Sequence, residues 1–381
     1  MTTDLGAQDA TERRPGARGG TDPGTTPDTV PPPAHETGAA AHGTGAASVA
    51  EVAATGQAVL DAVGTALVGH VGPLRLALAA VLAGGHVLFE DVPGTGKTLA
   101  ARSLASALGL DFRRLQCTPD LLPADVTGSF VYNPADSQFT FNPGPLFAGL
   151  LLADEINRTP PKTQSALLEA MQEGQVSVEG RTFLLPRPFH VLATANPVEF
   201  EGTYPLPEAQ LDRFLLRLSF GYPATAEEGD VLSRRIARRR EAVDVPAVVD
   251  ATTLRALQAG VEQVDVDREI VDYCVALAAA TRSHRSVEVG ASPRGSAALV
   301  LLARALAVLG GRGFVVPDDV KAVAIPALAH RLTLRADTWS TGTTAVAVVE
   351  ELLARVPGPA AAPATAPATA PAPGLAAPPS R

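Results

Sequence analysis

Lysine is nearly missing from this chain: Lys97, Lys162 and Lys321 are the only three among 31 Lys and Arg residues. Arginine carries the rest, a bias that reads as genomic composition. Positive charge is also outnumbered, with 40 Asp and Glu and a formal net charge of −9, which argues against nucleic acid as the main partner. Cysteine is equally scarce. Cys117 and Cys274 stand far apart, outside any Cys-x-x-Cys spacing, so neither a disulfide scaffold nor a zinc knuckle is expected, and a reducing compartment suits the chain. Cys117 reads as a small buried hydrophobe. The 7 histidines hold no His-Glu-x-x-His pattern, so no zinc site of that kind is expected. No apolar run is long enough to span a bilayer. Arg13, Arg14 and Arg18 precede no apolar stretch of the kind a secretory signal needs. A cytoplasmic protein is expected.

What the chain does have is apolar content: 46% hydrophobic residues over 381 positions suffice for a sizeable core in two or three domains. The ends differ. Residues 1–47, rich in Thr, Gly, Pro, Ala and Asp, and 356–381, with Pro-Ala-Thr repeats, read as disordered tails. Between them, 48–222 alternates strand-like and helix-like segments, and 223–355 reads as helices without further strands.

The most specific motif is Asp91-Val92-Pro93-Gly94-Thr95-Gly96-Lys97-Thr98-Leu99, which follows an apolar run from His86 to Phe89 and opens a helix. It predicts a phosphate-binding loop. Gly94 and Gly96 let backbone N–H groups turn onto phosphate oxygens, Lys97 neutralises β/γ charge, and Thr98 offers its hydroxyl to Mg²⁺. Leu99, Ala100, Leu104 and Leu108 recur at helical spacing, so a helix N-terminus adds its partial positive charge. Asp91 stands where the strict pattern has its first Gly, a position that turns the chain rather than touching phosphate. A glycine-rich turn with an incidental lysine is the bland alternative.

A second apolar run, Leu150-Leu151-Leu152-Ala153, ends in Asp154-Glu155. A buried strand would set both acids at the edge where open α/β sheets bind ligands, Asp154 for the Mg²⁺ shell and Glu155 for the attacking water. A third, His190 to Ala195, ends in Asn196-Pro197, placing Asn196 for the γ-phosphate or the lytic water, although an Asn-Pro turn also ends ordinary strands. Arg213, in Leu211-Asp212-Arg213-Phe214, could reach a neighbouring subunit's γ-phosphate as an arginine finger, or be a salt-bridged surface residue.

Taken in order, these motifs resemble the AAA+ ATPases and, within them, the MoxR family. The resemblance covers about Ala50 to Arg355. It includes Gln116-Cys117-Thr118-Pro119-Asp120-Leu121-Leu122-Pro123-Ala124-Asp125-Val126-Thr127-Gly128, Pro143-Gly144-Pro145-Leu146-Phe147, Asp154-Glu155-Ile156-Asn157-Arg158, and Glu201-Gly202-Thr203-Tyr204-Pro205-Leu206-Pro207-Glu208-Ala209-Gln210 running into Leu211-Asp212-Arg213-Phe214. It implies an α/β fold, a three-layer α/β/α core with a parallel sheet followed by a small all-α lid. It further implies an ATP-driven ring, expected to be a hexamer, that uses Mg²⁺ and remodels or matures client proteins, often with a partner carrying a von Willebrand factor A domain. Asp91 looks like an ordinary variant in that family.

Local patterns refine the organisation. Ser48 to His70 reads as a helix with a Ser48/Glu51 capping box, and Leu74 to Leu82 as a second. Ser129–Tyr132 with Gln138–Phe141, and Gln175–Val178 with Arg181–Leu184, read as two hairpins, the first resembling the helix-2 insert and the second the pre-sensor hairpin of this AAA+ clade. Helices are expected over 251–261, 268–280, 294–309 and 317–328. In the family-like reading Arg294, beside the Ser292 cap and Pro293, is a sensor reaching back over the nucleotide. Arg282, His284 and Arg285 read as a solvated basic loop.

The mechanism these residues support is in-line attack of water on the ATP γ-phosphate. Lys97, Thr98 with Mg²⁺ and a neighbour's Arg213 neutralise charge, Asp154 holds the metal, Glu155 the water, and Asn196 and Arg294 report the γ-phosphate. Arg158 and Arg217 are weaker candidates for contacts across subunits. Two other readings stay open: an ATP-gated scaffold or chelatase-type motor subunit, and a nucleic-acid motor. The second is disfavoured by hairpin tips of Pro134-Ala135-Asp136 and Glu179-Gly180-Arg181 rather than clustered Lys and Arg.

Overall fold

The computed structural model describes residues 45–135, 137–197, 202–240 and 243–359. Asp136 at one hairpin tip, Glu201 of the family-like stretch and nearly all of both expected tails lie outside them. Two helices come first, α1 (Val49–Ala66) and α2 (Val71–Leu82). Ser48 and Glu51 make the reciprocal capping box at the start of α1. The helix stops at Ala66, short of the expected His70, because Leu67 turns extended and Gly69 and His70 both take positive φ, 72° and 56°.

The core follows as β1 (Val87–Glu90), α3 (Lys97–Ala107), β2 (Phe112–Gln116), α4 (Pro123–Thr127), the hairpin β3 (Gly128–Asn133) and β4 (Gln138–Pro143), β5 (Leu150–Asp154), α5 (Pro161–Glu173), the hairpin β6 (Gln175–Val178) and β7 (Arg181–Leu184), β8 (His190–Ala195), α6 (Glu208–Leu211) and β9 (Leu216–Leu218). Five strands form one sheet in the order β2-β5-β8-β1-β9, every neighbouring pair parallel. Both faces are covered over the inner strands β1, β5 and β8, which are buried nearly throughout and alternate between two cores, while the edge strand β2 exposes Arg113, Arg114 and Gln116. Leu150 and Leu152 of β5 face the core shared with α1, α2 and α3, while Leu151 and Ala153 face the one under α5 and the hairpins. The hairpins pack on each other through aromatic rings, Phe141 of β4 stacking on Phe183 of β7 at 3.9 Å.

The lid comprises α7 (Thr225–Arg238), α8 (Ala251–Val261), α9 (Arg268–Arg282), β10 (Val287–Val289), α10 (Pro293–Leu309), α11 (Pro317–Leu328), β11 (Thr333–Leu334) and α12 (Ala345–Arg355). It is not free of strands: β10 and β11 pair antiparallel, a two-rung ladder too short to show alternation in sequence. Its basic loop is solvated at Arg282 and Arg285, which are exposed, but not at His284. His284 is buried, accepts from the Ser286 amide at Nδ1 and so donates through Nε2 to Glu351, 3.2 Å away, while Arg282 donates to the Ala291 carbonyl. One apolar cluster runs from α1, α2 and α3 into α8, α9, α10 and α11, so lid and nucleotide core share a continuous interior.

Candidate functional site

The parallel sheet brings three sequence-separated segments to one edge. β1, β5 and β8 are adjacent, so the turn after Glu90, the acids at Asp154-Glu155 and Asn196 after Ala195 meet at their C-terminal ends, where strand order reverses and open α/β sheets bind ligands. They surround a cavity of about 400 Å³ lined by residues 93–99, Asp154, Glu155, Thr194, Ala195 and Asn196.

Gly94 and Gly96 take φ of 84° and 86°, a left-handed backbone that other residues reach only with strain. Lys97 starts α3 and folds back, donating from Nζ to the Asp91 and Val92 carbonyls at 2.7 and 2.9 Å. Burial pulls its ammonium below the ordinary value, against the raising influence of Asp91, Asp154 and Glu155. Asp91 itself belongs to the scaffold, and its carboxylate is not directed at the loop's concavity. One oxygen accepts from the Phe220 and Gly221 amides at 2.7 and 2.8 Å, the other from Val92 at 2.9 Å, tying the loop to the chain that leaves β9. An acid held this way does not repel bound phosphate as a free one would.

The acids are held from three sides. Thr194 donates to Asp154 Oδ1 at 2.6 Å and accepts from the Glu155 amide at 2.8 Å. Thr98 Oγ1 lies 3.5 Å from Asp154 Oδ2, and Arg114 of the edge strand β2 donates to that same oxygen through Nε and Nη2 at 3.0 and 2.6 Å. Gln116, next on that face of β2, accepts from Arg114 and donates to Glu155 Oε2 at 3.0 Å. Glu155 sits at φ 61°, ψ 49°, a left-handed conformation for a non-glycine residue that marks stored strain. The sequence motifs assigned no role to Thr194, Arg114 or Gln116. Their relation to the acids arises from the β2-β5-β8 pairing.

The structure divides the expected arginines. Arg158 pairs with Glu155 at 3.3 Å and Arg217 with Glu90 at 2.6 Å, both within the chain. Arg213 and Arg294 line a second cavity of about 260 Å³ with Met171, Asp212 and Arg331. Arg294 is thus not among the residues lining the cavity at the phosphate loop. Arg213 donates to the Leu168 carbonyl, and its buried Nε has no partner among the described residues. Asn196 is nearly buried, its carbonyl accepting from Asn157. Among the described residues no group of three or more metal-ligating side chains gathers, and no helix is long and apolar enough to cross a membrane. Cys117 is buried beside the site, its thiol pushed up to about 11 by desolvation.

A phosphate loop, paired acids and a polar residue on three neighbouring parallel strands, followed by a helical lid, define an ATPase of the AAA+ class. Comparison with known proteins agrees: residues 86–216 match the ATPase family associated with various cellular activities (AAA), and residues 279–352 match the AAA lid domain. The chain is 50% identical to uncharacterized protein YeaC of Bacillus subtilis, over 77% of this chain and 91% of that one. It is 41% identical to chaperone MoxR1 of Mycobacterium tuberculosis, over 85% and 86%. A solved structure from Cytophaga hutchinsonii superposes with a TM-score of 0.75 at 37% identity, over 81% of this chain and 96% of that one. The chain belongs to the MoxR family of AAA+ ATPases.

Proposed function

We propose that the protein hydrolyses Mg²⁺-ATP in a ring of identical subunits and uses the cycle to remodel or mature client proteins. One observation carries this: the phosphate loop, Asp154, Glu155 and Asn196 line one cavity, whereas Arg213 and Arg294 line another. Each chain thus holds an incomplete site and the cations that would complete a neighbour's. The donor set suits Mg²⁺, since Thr98 Oγ1 and Asp154 Oδ2 are hard oxygens 3.5 Å apart, and Thr194 occupies the other carboxylate oxygen. When bound, the metal supplies charge neutralisation at the phosphates. The chain's own residues do the rest: Lys97 and the loop amides orient the phosphates, Thr194 fixes both acids, Glu155 polarises water, Asn196 aligns it, and Arg213 and Arg294 approach from the next subunit.

A protein client is favoured over a nucleic-acid track because the β3–β4 hairpin presents Tyr132 and Phe139, exposed and 5.3 Å apart between ring centroids, rather than basic side chains. Similarity to a protein named a chaperone supports the same reading over a chelatase subunit or an ATP-gated scaffold. The hexameric count, cytoplasmic setting and a partner with a von Willebrand factor A domain belong to this proposal. The test is ATP turnover against protein concentration, with oligomer size in the same samples, for the wild type and Glu155→Gln. Specific activity should rise with concentration, and the substitution should abolish turnover while ATP still binds. Turnover independent of concentration would overturn the shared site.

A further inference from the structure

Asp154 is matched by a cation from its own chain. Arg114 directs two N–H groups at Oδ2, the oxygen that also faces Thr98, while Oδ1 is taken by Thr194. The guanidinium therefore occupies the charge-balancing place on the one carboxylate oxygen turned toward the phosphate loop. Its side chain is 50% exposed on the sheet's edge strand, so it can leave Asp154 for water without stranding a buried charge. Arg114 Nη2 also donates to Gln116 Oε1 at 2.8 Å, and the Gln116 amide donates to Glu155 Oε2. A continuous relay thus runs from Asp154 through Arg114 and Gln116 to Glu155.

We propose that Arg114 is a resident counter-cation that competes with the divalent metal for Asp154, so that metal entry displaces it and, through Gln116, loosens the hold on Glu155. Before metal binds, Arg114 neutralises Asp154 and Gln116 restrains the base. A divalent cation carries twice the charge into the same space and repels the guanidinium. Arg114 then swings toward solvent, Gln116 loses its donor, and Glu155, left with the Arg158 pair on Oε2, is less restrained as it takes up water. Arg114 is a positioning residue in this scheme, lowering the site's metal affinity and coupling base release to metal arrival.

The inference rests on the Mg²⁺-ATP reading, and its test separates the two. Dissociation constants of N-methylanthraniloyl-ADP are measured in Mg²⁺ and in EDTA. By linkage, their ratio reports how strongly protein-bound nucleotide draws the metal. Arg114→Gln should raise the ratio about threefold, the scale of a half-exposed ion pair, and Arg114→Lys less, because an ammonium keeps charge but not the paired N–H contacts. Asp154→Asn should lower the ratio toward one. If Arg114 only braces the fold, both constants shift together, the ratio stays at the wild-type value and the proposal fails. A wild-type ratio of one with nucleotide still bound would instead remove the metal site itself, and this inference with it.

Discussion

Asp212 and Arg331 form an ion pair at 2.7 Å between the core and the lid, with the arginine side chain only 3% exposed. Arg331 also donates to the carbonyls of Phe214 and Leu215. The second oxygen of Asp212 accepts from Ser292 at 2.8 Å, and Ser292 caps α10 by accepting from the Arg294 amide. One carboxylate therefore adjoins Arg213 in sequence and holds the cap that leads to Arg294. The two arginines proposed to serve a neighbour are set by the same joint.

Arg331→Met should destabilise the protein by about 3 kcal/mol, the cost of leaving one partner of a buried pair uncompensated. Arg331→Lys should recover less than half of that, because an ammonium cannot satisfy a carboxylate and two carbonyls in the fork geometry. Guanidinium unfolding monitored by circular dichroism checks both, and a change below about 1 kcal/mol for the Met variant would place the lid's attachment elsewhere.

Thr194→Val removes a hydroxyl that donates to Asp154 and accepts from the Glu155 amide. Turnover should fall by about tenfold or more, since both acids lose their shared anchor, with about 1–3 kcal/mol of stability lost to the unsatisfied amide. Thr194→Ser should keep most of both. Steady-state hydrolysis and thermal melting separate the two effects, and equal loss in Ser and Val would implicate the methyl group instead.

Legibility in the sequence followed locality. The phosphate loop, the Asp154-Glu155 strand, both hairpins and the lid helices from Ala251 onward are each written in a short window, because glycine placement and apolar period are local signals. Arg114 and Gln116 look like an ordinary edge strand until β2 pairs with β5, Gln116 facing Asp154 in register. Asp91 reads as a missing glycine, and besides the Val92 amide its partners are two amides some 130 residues away. The expectation for Arg294 likewise rests on a relation that no local window holds. Its helix and cap are legible, but which cavity the helix start faces depends on how the lid sits on the core.

Acid should weaken the fold through His86, which is fully buried with its pKa lowered to about 4, chiefly by desolvation and then by His190. His86 accepts from the Val191 amide and donates to the Met171 carbonyl, a neutral arrangement that protonation breaks. The unfolded chain takes up a proton near the ordinary value of about 6.5 and the folded one does not, so this stabilisation is complete above that pH and is lost as pH falls toward 4. The loss is about 3 kcal/mol at most. Urea unfolding from pH 7 to 4 should show a slope in this window that His86→Asn flattens. Parallel slopes for the two proteins would move the acid sensitivity to other groups.

Mixing variants tests where Arg294 works. Glu155→Gln keeps both arginines but lacks the base, whereas Arg294→Ala keeps the base, and each alone should turn over slowly. If Arg294 completes a neighbour's site, an equimolar mixture creates sites whose own Glu155 is intact and whose neighbour supplies Arg294. Random assembly in a closed ring makes these about a quarter of all sites, so the mixture should regain about a quarter of wild-type activity, as should Arg213→Ala mixed with Glu155→Gln. If Arg294 instead folded over its own nucleotide, every site in the first mixture would lack either the base or the sensor. No activity would return, while the Arg213 mixture would still recover. The position of Arg294 beside Arg213 predicts recovery in both.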